Sequence, residues 1–509
     1  MYEEILSIDA IALYPIVGGY NSYPVSLTVG YEEPIRATEI KGLWKWWTRI
    51  LLESVIFKQG NYVVPYSEID KVMEDIFGSE DKKSLVRIDV KVNDDFISVA
   101  EKIWQFLQDF FKKGQVINQR NVSSQNNIII QVQNKDKKSL IPNVNIIKNV
   151  NIINIPNVNI IKNVYVINID TYNNLESIRV RRDDRDPKPD DKFIVIDFNN
   201  KKISIGGVGE LKLEGLDKHL TIDNMRDFLS IPRIKLDMLR YNNTGLKVKD
   251  LNDRELNELM RIILDLITTV LIPKEVKFTI SIKVDTERLK NEKNELDMNK
   301  VKKLKFALYS LFVYLILGGI GRMTNRGMGS LSPTRIKCRD NDLCENLESL
   351  FNEFSKISDE NKIIDFIRTL IDFDSLEKLS ENWINEIGNT SKVNNVFYIS
   401  TYSLKYLYTR EINDPLKYLN ALGELTLSTN INDPTFANEI LGRPRKRDDI
   451  RLPSAFRFKI LYIGNKYYLI WYLLDRYSDA NSSHSFIECY KEEIARFIKN
   501  AQQKLGEVH

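Results

Sequence analysis

The sequence is poor in histidine. Only His219, His484 and His509 occur in 509 residues. A catalytic histidine pair, or a zinc ion held by histidines, is thereby close to excluded. Cysteine is as scarce. Cys338, Cys344 and Cys489 match no zinc spacing, and so few thiols point to a reducing compartment. Long hydrophobic runs are also missing. The most apolar stretch, FALYSLFVYLILGGI at 306–320, is shorter than the ~20 residues that span a bilayer, and it ends in glycines. It reads as a buried core helix. The N-terminal stretch MYEEILSIDAIALYPIVGG carries acids where a signal peptide needs a basic region. A cytoplasmic protein without membrane attachment is expected. Net charge is only +3, so any nucleic-acid role must come from local basic clusters.

What is present is an ordinary globular composition, 43% apolar and 28% charged, in a chain long enough for two to four domains. Residues 5–14 and 84–92 read as strands and 98–113 as a helix. Between Asn118 and Asn168 fall fourteen asparagines. There IPNVNIIKNVNIIN at 141–154 is followed by IPNVNIIKNVYVIN at 155–168. Two copies are too few for a solenoid, and a local duplication in an inserted hairpin or loop is the plainer reading. Residues 181–192 read as a solvated loop and 255–272 as a helix stopped by Pro273. In EVKFTISIKV (275–284), Val276, Phe278, Ile280, Ile282 and Val284 face one way. Lys277, Thr279, Ser281 and Lys283 face the other, a polar and basic face open to solvent or ligand. A helix at 299–317 and a strand at 329–337 follow, then polar helices at 341–390. A strand near 396, a hairpin turning at Gly464-Asn465 and a helix capped by Ser485 complete the chain.

Two stretches carry the functional signal. GGIGRMTNRGMGSL, Gly318 to Leu331, has five of the twenty-two glycines. Its order is helix, loop, strand. It therefore fails the dinucleotide fingerprint, and it lacks the Gly-Lys-Ser/Thr of a triphosphate loop. Two readings remain open: a helix cap with exposed arginines, or backbone N–H groups that approach phosphates. IRATEIKGLWKWWTR (35–49) reads as a helix N-capped by Thr38. Lys41, Lys45 and Arg49 lie four residues apart on one stripe. Gly42 leaves room for a second backbone. Trp44 and Trp47 read as core, with Trp46 at its edge. The basic stripe is either a solvated face or a ligand contact. GRPRKRDDIR (442–451) adds a third basic run, blunted by Asp448 and Asp449.

Together these stretches resemble the RAMP superfamily of CRISPR proteins, and within it subunit one of the type III-B Cmr effector complex. IFGSEDKKSLVRIDV (76–90) and RLPSAFRFKI (451–460) extend the resemblance in the same order. Lys45 stands where an Arg is usual and Thr48 where an aromatic is usual. The Asn-rich insertion falls outside the resemblance. It implies an α+β fold of tandem ferredoxin-like (RRM-like) domains. The first would be 1–340 with an insertion at about 115–192, the second 341–509 with its helical connection. It also implies a non-catalytic RNA-binding subunit, without metal or cofactor. Its partners would be guide RNA, target RNA and other Cmr subunits, near the 3′ part of the guide. The implied contacts are Arg36, Lys41, Gly42, Lys45, Arg49, Gly319, Gly321, Arg322, Asn325, Arg326, Gly327, Gly329, Arg443, Arg445, Lys446, Arg447 and Arg451. They would neutralise phosphates without reading sequence. The rival is a RAMP-type endoribonuclease processing guide RNA. Those enzymes carry the glycine loop near the C-terminus and many use a histidine in the first domain. Here nearly 180 residues follow the loop, and His219 has no evident base partner.

Overall fold

The structure is a computed structural model. It describes residues 2–13, 35–60, 62–92, 166–169, 177–181, 194–197, 202–205, 209–212, 275–321, 324–387, 396–432, 440–442, 454–477, 485–506 and 508. The chain forms two compact units. One comprises 1–20, 33–93 and 275–509, and the other 21–32 and 94–274.

The elements of the first unit begin with β1 (Tyr2–Leu13), α1 (Ala37–Gly60), α2 (Tyr66–Phe77) and β2 (Val86–Val92). The second unit contributes β3 (Val166–Ile169), β4 (Ser177–Arg181), β5 (Ile194–Asp197), β6 (Lys202–Ile205) and β7 (Gly209–Lys212), an antiparallel meander in that order. The first unit resumes with β8 (Glu275–Asp285), α3 (Met298–Leu317) and β9 (Ser330–Cys338). Three polar helices follow, α4 (Asn341–Ser355), α5 (Glu360–Leu370) and α6 (Phe373–Ile384). Then come β10 (Val396–Tyr398), α7 (Thr401–Lys405), β11 (Tyr408–Ile412) and α8 (Pro415–Asn432). The chain closes with β12 (Phe456–Ile463), β13 (Lys466–Leu473), β14 (Asp475–Tyr477), α9 (Phe486–Cys489) and α10 (Lys491–Gly506).

The first sheet has the order β2-β8-β1-β9, with every neighbouring pair antiparallel. The connectivity β-α-β, then β-α-β, interlocks two crossovers in one sheet. Its apolar face is set by period-two alternation. Ile8, Ile280 and Ile336 align across three strands and are buried with Ile88, Ile282 and Phe278. In the later half β11, β13 and β12 form a second antiparallel sheet in that order. β10 pairs with β14. The turn between β12 and β13 places Gly464 and Asn465 at φ 56° and 66°, as a two-residue hairpin needs.

α3 is the buried helix that its composition predicts. Asp297 caps it, accepting from the N–H groups of Asn299 and Lys300 at 3.0 and 3.2 Å. The helix α1 core holds a polar knot. Trp44 Nε1 donates to Ala307 O (2.6 Å) and Ser310 Oγ (3.1 Å), while Thr48 Oγ1 lies 2.6 Å from Ser310 Oγ. A hydroxyl at position 48 therefore completes a bond that an aromatic would lack. Trp44 and Trp47 are buried, as expected.

Several expectations are corrected. α1 starts at Ala37, so Thr38 lies inside the helix; the Arg36 carbonyl accepts its first bonds, from Glu39 and Ile40 at 3.1 Å. The last helix is capped by Ser485 but broken at Tyr490; at its start buried Asp475 accepts from the Ser485 hydroxyl and the Ile487 N–H. Cys338 and Cys344 form a disulfide, with Cα atoms 5.8 Å apart, where β9 turns into α4. This pairing was not foreseen from the cysteine count. α2 was not foreseen, although Ile69, Met73 and Ile76 recur at helical spacing. The expected helices 98–113 and 255–272, the loop at 182–192 and the repeat up to residue 165 lie outside the described residues.

Candidate nucleic-acid interface

The glycine loop begins where α3 ends, and the second sheet holds it there. Lys459 of β12, buried among Ile and Leu neighbours, donates from Nζ to Leu315 O (3.2 Å) and to Gly318 O. Tyr472 of β13 donates to Leu317 O at 2.5 Å. A cation and a hydroxyl so take up carbonyls that a helix C-terminus leaves unpaired. Burial pushes the Lys459 ammonium well below its ordinary range.

The outer edge of β12 is closed by the same loop. The N–H groups of Phe458, Ile460 and Tyr462 donate to Asn325 O (3.1 Å), Ser330 Oγ (3.0 Å) and Ser332 Oγ (2.9 Å). An unpaired strand edge invites foreign strands, and this one is occupied. Arg326 makes a parallel bridge with Phe458 and donates from Nη2 to Leu441 O at 2.8 Å. Gly319 bridges Ser330, and Ile320 N donates to Gly329 O at 2.9 Å. Gly329 sits at φ 58°, and a Cβ there would run into the Ile320 carbonyl. The glycine loop is thus a fitted strap, and part of its glycine content serves close backbone packing. Gly327 and Met328 are buried.

Helix α1 reaches this strap through its first turn. Gly321 N donates to Glu39 Oε1 at 2.8 Å, with Gly321 at φ 84°. The loop and the first turn of α1 therefore meet, as the shared-site reading requires. Glu39 itself was not foreseen as a contact.

The basic stripe of α1 is committed within the chain. Lys41 Nζ donates to Ser84 Oγ (2.8 Å) and Val86 O (3.4 Å). Burial, then the neighbouring Lys45, holds its ammonium below the usual range. Lys45 lies 3.3 Å from Asp70 Oδ1. Arg49 grips Asp70 with two bonds, Nε to Oδ1 at 2.6 Å and Nη2 to Oδ2 at 2.5 Å. Its guanidinium also lies over the Tyr66 ring, 5.7 Å from the centroid. Asp70 is supplied by α2, the element that sequence reasoning missed. Gly42 is exposed, and a Cβ there meets nothing within 4 Å. Arg36 and Asn325 are half-buried. Trp46 takes Arg457 of β12 against its face at 4.9 Å. Arg322, Arg443, Arg445, Lys446, Arg447 and Arg451 lie outside the described residues, as do His219, His484 and His509.

Among the described residues no His, Cys, Asp and Glu group has the arrangement of a metal site. No described helix is long and apolar enough to cross a membrane.

With this geometry in place the chain can be set beside known proteins. The profile described as the RAMP superfamily matches residues 10–332. The chain belongs to the RAMP superfamily. This RAMP chain is 27% identical, over 95% of its length and 97% of the other's, to the CRISPR system CMR subunit Cmr1 of Saccharolobus solfataricus. It shares its fold with a chain of the Type III-B Cmr-beta complex bound to cognate target RNA and AMPPnP in the presence of ssDNA. The TM-score is 0.59 at 24% identity, over 99% of both chains. A chain of Cmr-beta bound to cognate target RNA gives 0.56 at 24% identity, over 93% of this RAMP chain and 95% of that one. The matched profile takes in α1 and the glycine strap alike, the two elements joined by the Gly321–Glu39 bond.

Proposed function

We propose that this chain is a non-catalytic, RNA-binding subunit of a type III-B Cmr ribonucleoprotein effector complex that acts in antiviral defence in the cytoplasm. Its first unit is read as two tandem ferredoxin-like domains meeting near residue 340. The β2-β8-β1-β9 order supports the first, and β11-α8-β12-β13-α10 repeats three strands of the same plan. The other Cmr subunits, guide RNA and target RNA are its partners, with contact near the guide 3′ end.

The observation that carries this reading is the Gly321–Glu39 bond, which brings the strap and α1 to one place. In this reading Gly321 and Asn325 would meet the sugar–phosphate strand together with Arg322, and Arg36, Lys41, Gly42, Lys45 and Arg49 would border it. Gly319, Arg326, Gly327 and Gly329 hold the strap's shape, and Arg443, Arg445, Lys446, Arg447 and Arg451 are read from the sequence as further RNA contacts. The acidic partner Asp70 fixes the direction of Lys45 and Arg49 and leaves them less free charge for phosphates. Guide pairing, not these side chains, then reads sequence.

The test is affinity purification of the tagged chain from its own cells, with sequencing of bound RNA and mass spectrometry of bound protein. Guide RNA and other Cmr subunits are expected to copurify. Recovery of the chain alone and free of RNA would overturn the proposal.

A further inference from the structure

The face of the first sheet that points away from α1 and α3 is built from polar side chains. Strand register puts Lys91, Thr279, Asp9 and Arg335 in one row across four strands. The next row is Asp89, Ser281, Ser7 and Lys337. Beyond it lie Arg87, Lys283 and Glu4, and Lys277 stands one step the other way. Neighbouring strands are ~4.8 Å apart, so Lys91 and Arg335 are separated by about 14 Å, the width of the sheet.

The carboxylates on this face are already engaged. Asp89 pairs with Lys283 (2.6 Å) and Arg87 (3.2 Å), and Glu4 pairs with Arg339 (2.9 Å). Asp9 accepts from Thr279 Oγ1 at 2.8 Å. Lys91, Lys277, Arg335 and Lys337 are exposed, and no carboxylate among the described residues pairs with them. Four cations without a carboxylate partner among the described residues therefore share a surface with the hydroxyls of Ser7 and Ser281.

We propose that this face is a second contact surface for RNA, taking the sugar–phosphate backbone of a single strand. It rests on the RNA-binding reading above and adds a site to it. Charge complementarity favours a polyanion, and Ser and Thr hydroxyls are phosphate donors alongside Lys and Arg. Among the described residues the exposed part of the face carries no large apolar anchor such as the centre of a protein–protein interface requires. Ile11, the apolar residue beside Lys277, is buried. Among the described residues the two central rows of the face carry no aromatic ring for base stacking, so binding there is without sequence preference.

The test measures the full chain against a fluorescent uridine homopolymer and a mixed-sequence RNA of equal length, across a salt titration. The variant replaces Lys91, Lys277, Arg335 and Lys337 by Gln. All four are exposed, so its melting temperature is expected to match the parent's. Each lost phosphate contact flattens the slope of log K against log salt by about 0.7. A change of ~2–3 is expected, with both RNAs weakened equally. The converse variant, Asp89→Asn, releases Arg87 and Lys283 and is expected to steepen the slope. Parent binding with an unchanged slope in both variants would overturn this site and leave the RNA-binding reading intact. Failure of the parent itself to bind would overturn that reading. Unaltered RNA binding with loss of assembly onto other Cmr subunits would instead make the face a protein interface and overturn the proposal.

Discussion

On helix α1, Lys41, Lys45 and Arg49 already donate to Ser84, Val86 and Asp70. On the open face of the first sheet, Lys91, Lys277, Arg335 and Lys337 have no such partners among the described residues. Both clusters look alike in the sequence, as cations spaced by the period of their element. Their physics differs. A cation held by a carboxylate shapes the protein and presents little net charge to a phosphate. A cation that faces only water is ready to release counterions when a polyanion arrives. Spacing identifies a basic face, and only the partner residues decide whether it is structural or available.

The sharpest break of this comparison comes from the strap. Gly329→Ala places a methyl group against the Ile320 carbonyl at a left-handed backbone. A loss of ~3–5 kcal/mol is expected, since strain and a backbone clash combine. Chemical denaturation measures it, and a loss below ~1 kcal/mol would mean that the strap is slack.

Glu53 tests the interior behind α1. It is fully buried, and desolvation raises its carboxyl from 4.5 to about 8, against a smaller lowering by the Val64 N–H. Between these values the folded chain keeps a proton that the unfolded chain has lost. Stability is therefore highest below pH 4.5 on this account and falls as pH rises towards 8, by on the order of a few kcal/mol. Glu53→Gln is expected to flatten that dependence in thermal melts taken from pH 5 to 8. An unchanged slope would show that Glu53 is not its source.

Arg49→Ala removes the two-bond grip on Asp70. A cost of about 1–2 kcal/mol is expected for this half-buried pair. A double-mutant cycle with Asp70→Asn isolates the coupling. Near-zero coupling would return Arg49 to the set of available cations.

The smallest effect sharpens the comparison most. Gly42→Ala fills open space on an exposed helix face, so a gain of roughly 0.5–1 kcal/mol is expected. If Gly42 is there for an approaching RNA strand, the same substitution weakens RNA binding. A variant both more stable and equally able to bind would remove Gly42 from the interface.

Much of the fold was legible because its signals are local. The alternation in 275–284, the helix at 299–317 and the turn at Gly464-Asn465 need only neighbouring residues, and each is found where expected. The meeting of α1 with the strap was also anticipated, through motifs far apart in the chain. The partners were not. Asp70 lies on a helix of modest apolarity, and Glu39 looked like an ordinary first-turn acid. Lys459 was not foreseen, because its role depends on the end of α3, more than 140 residues earlier. The Cys338–Cys344 bond likewise follows from a turn, not from a cysteine count.

The most direct measurement is ultraviolet crosslinking of RNA to the purified complex, with crosslinked peptides of this chain read by mass spectrometry. The account predicts crosslinks in 318–331 and in peptides carrying Lys91, Lys277, Arg335 and Lys337. Crosslinks confined to other peptides, or a chain that carries none while its neighbours do, would contradict it.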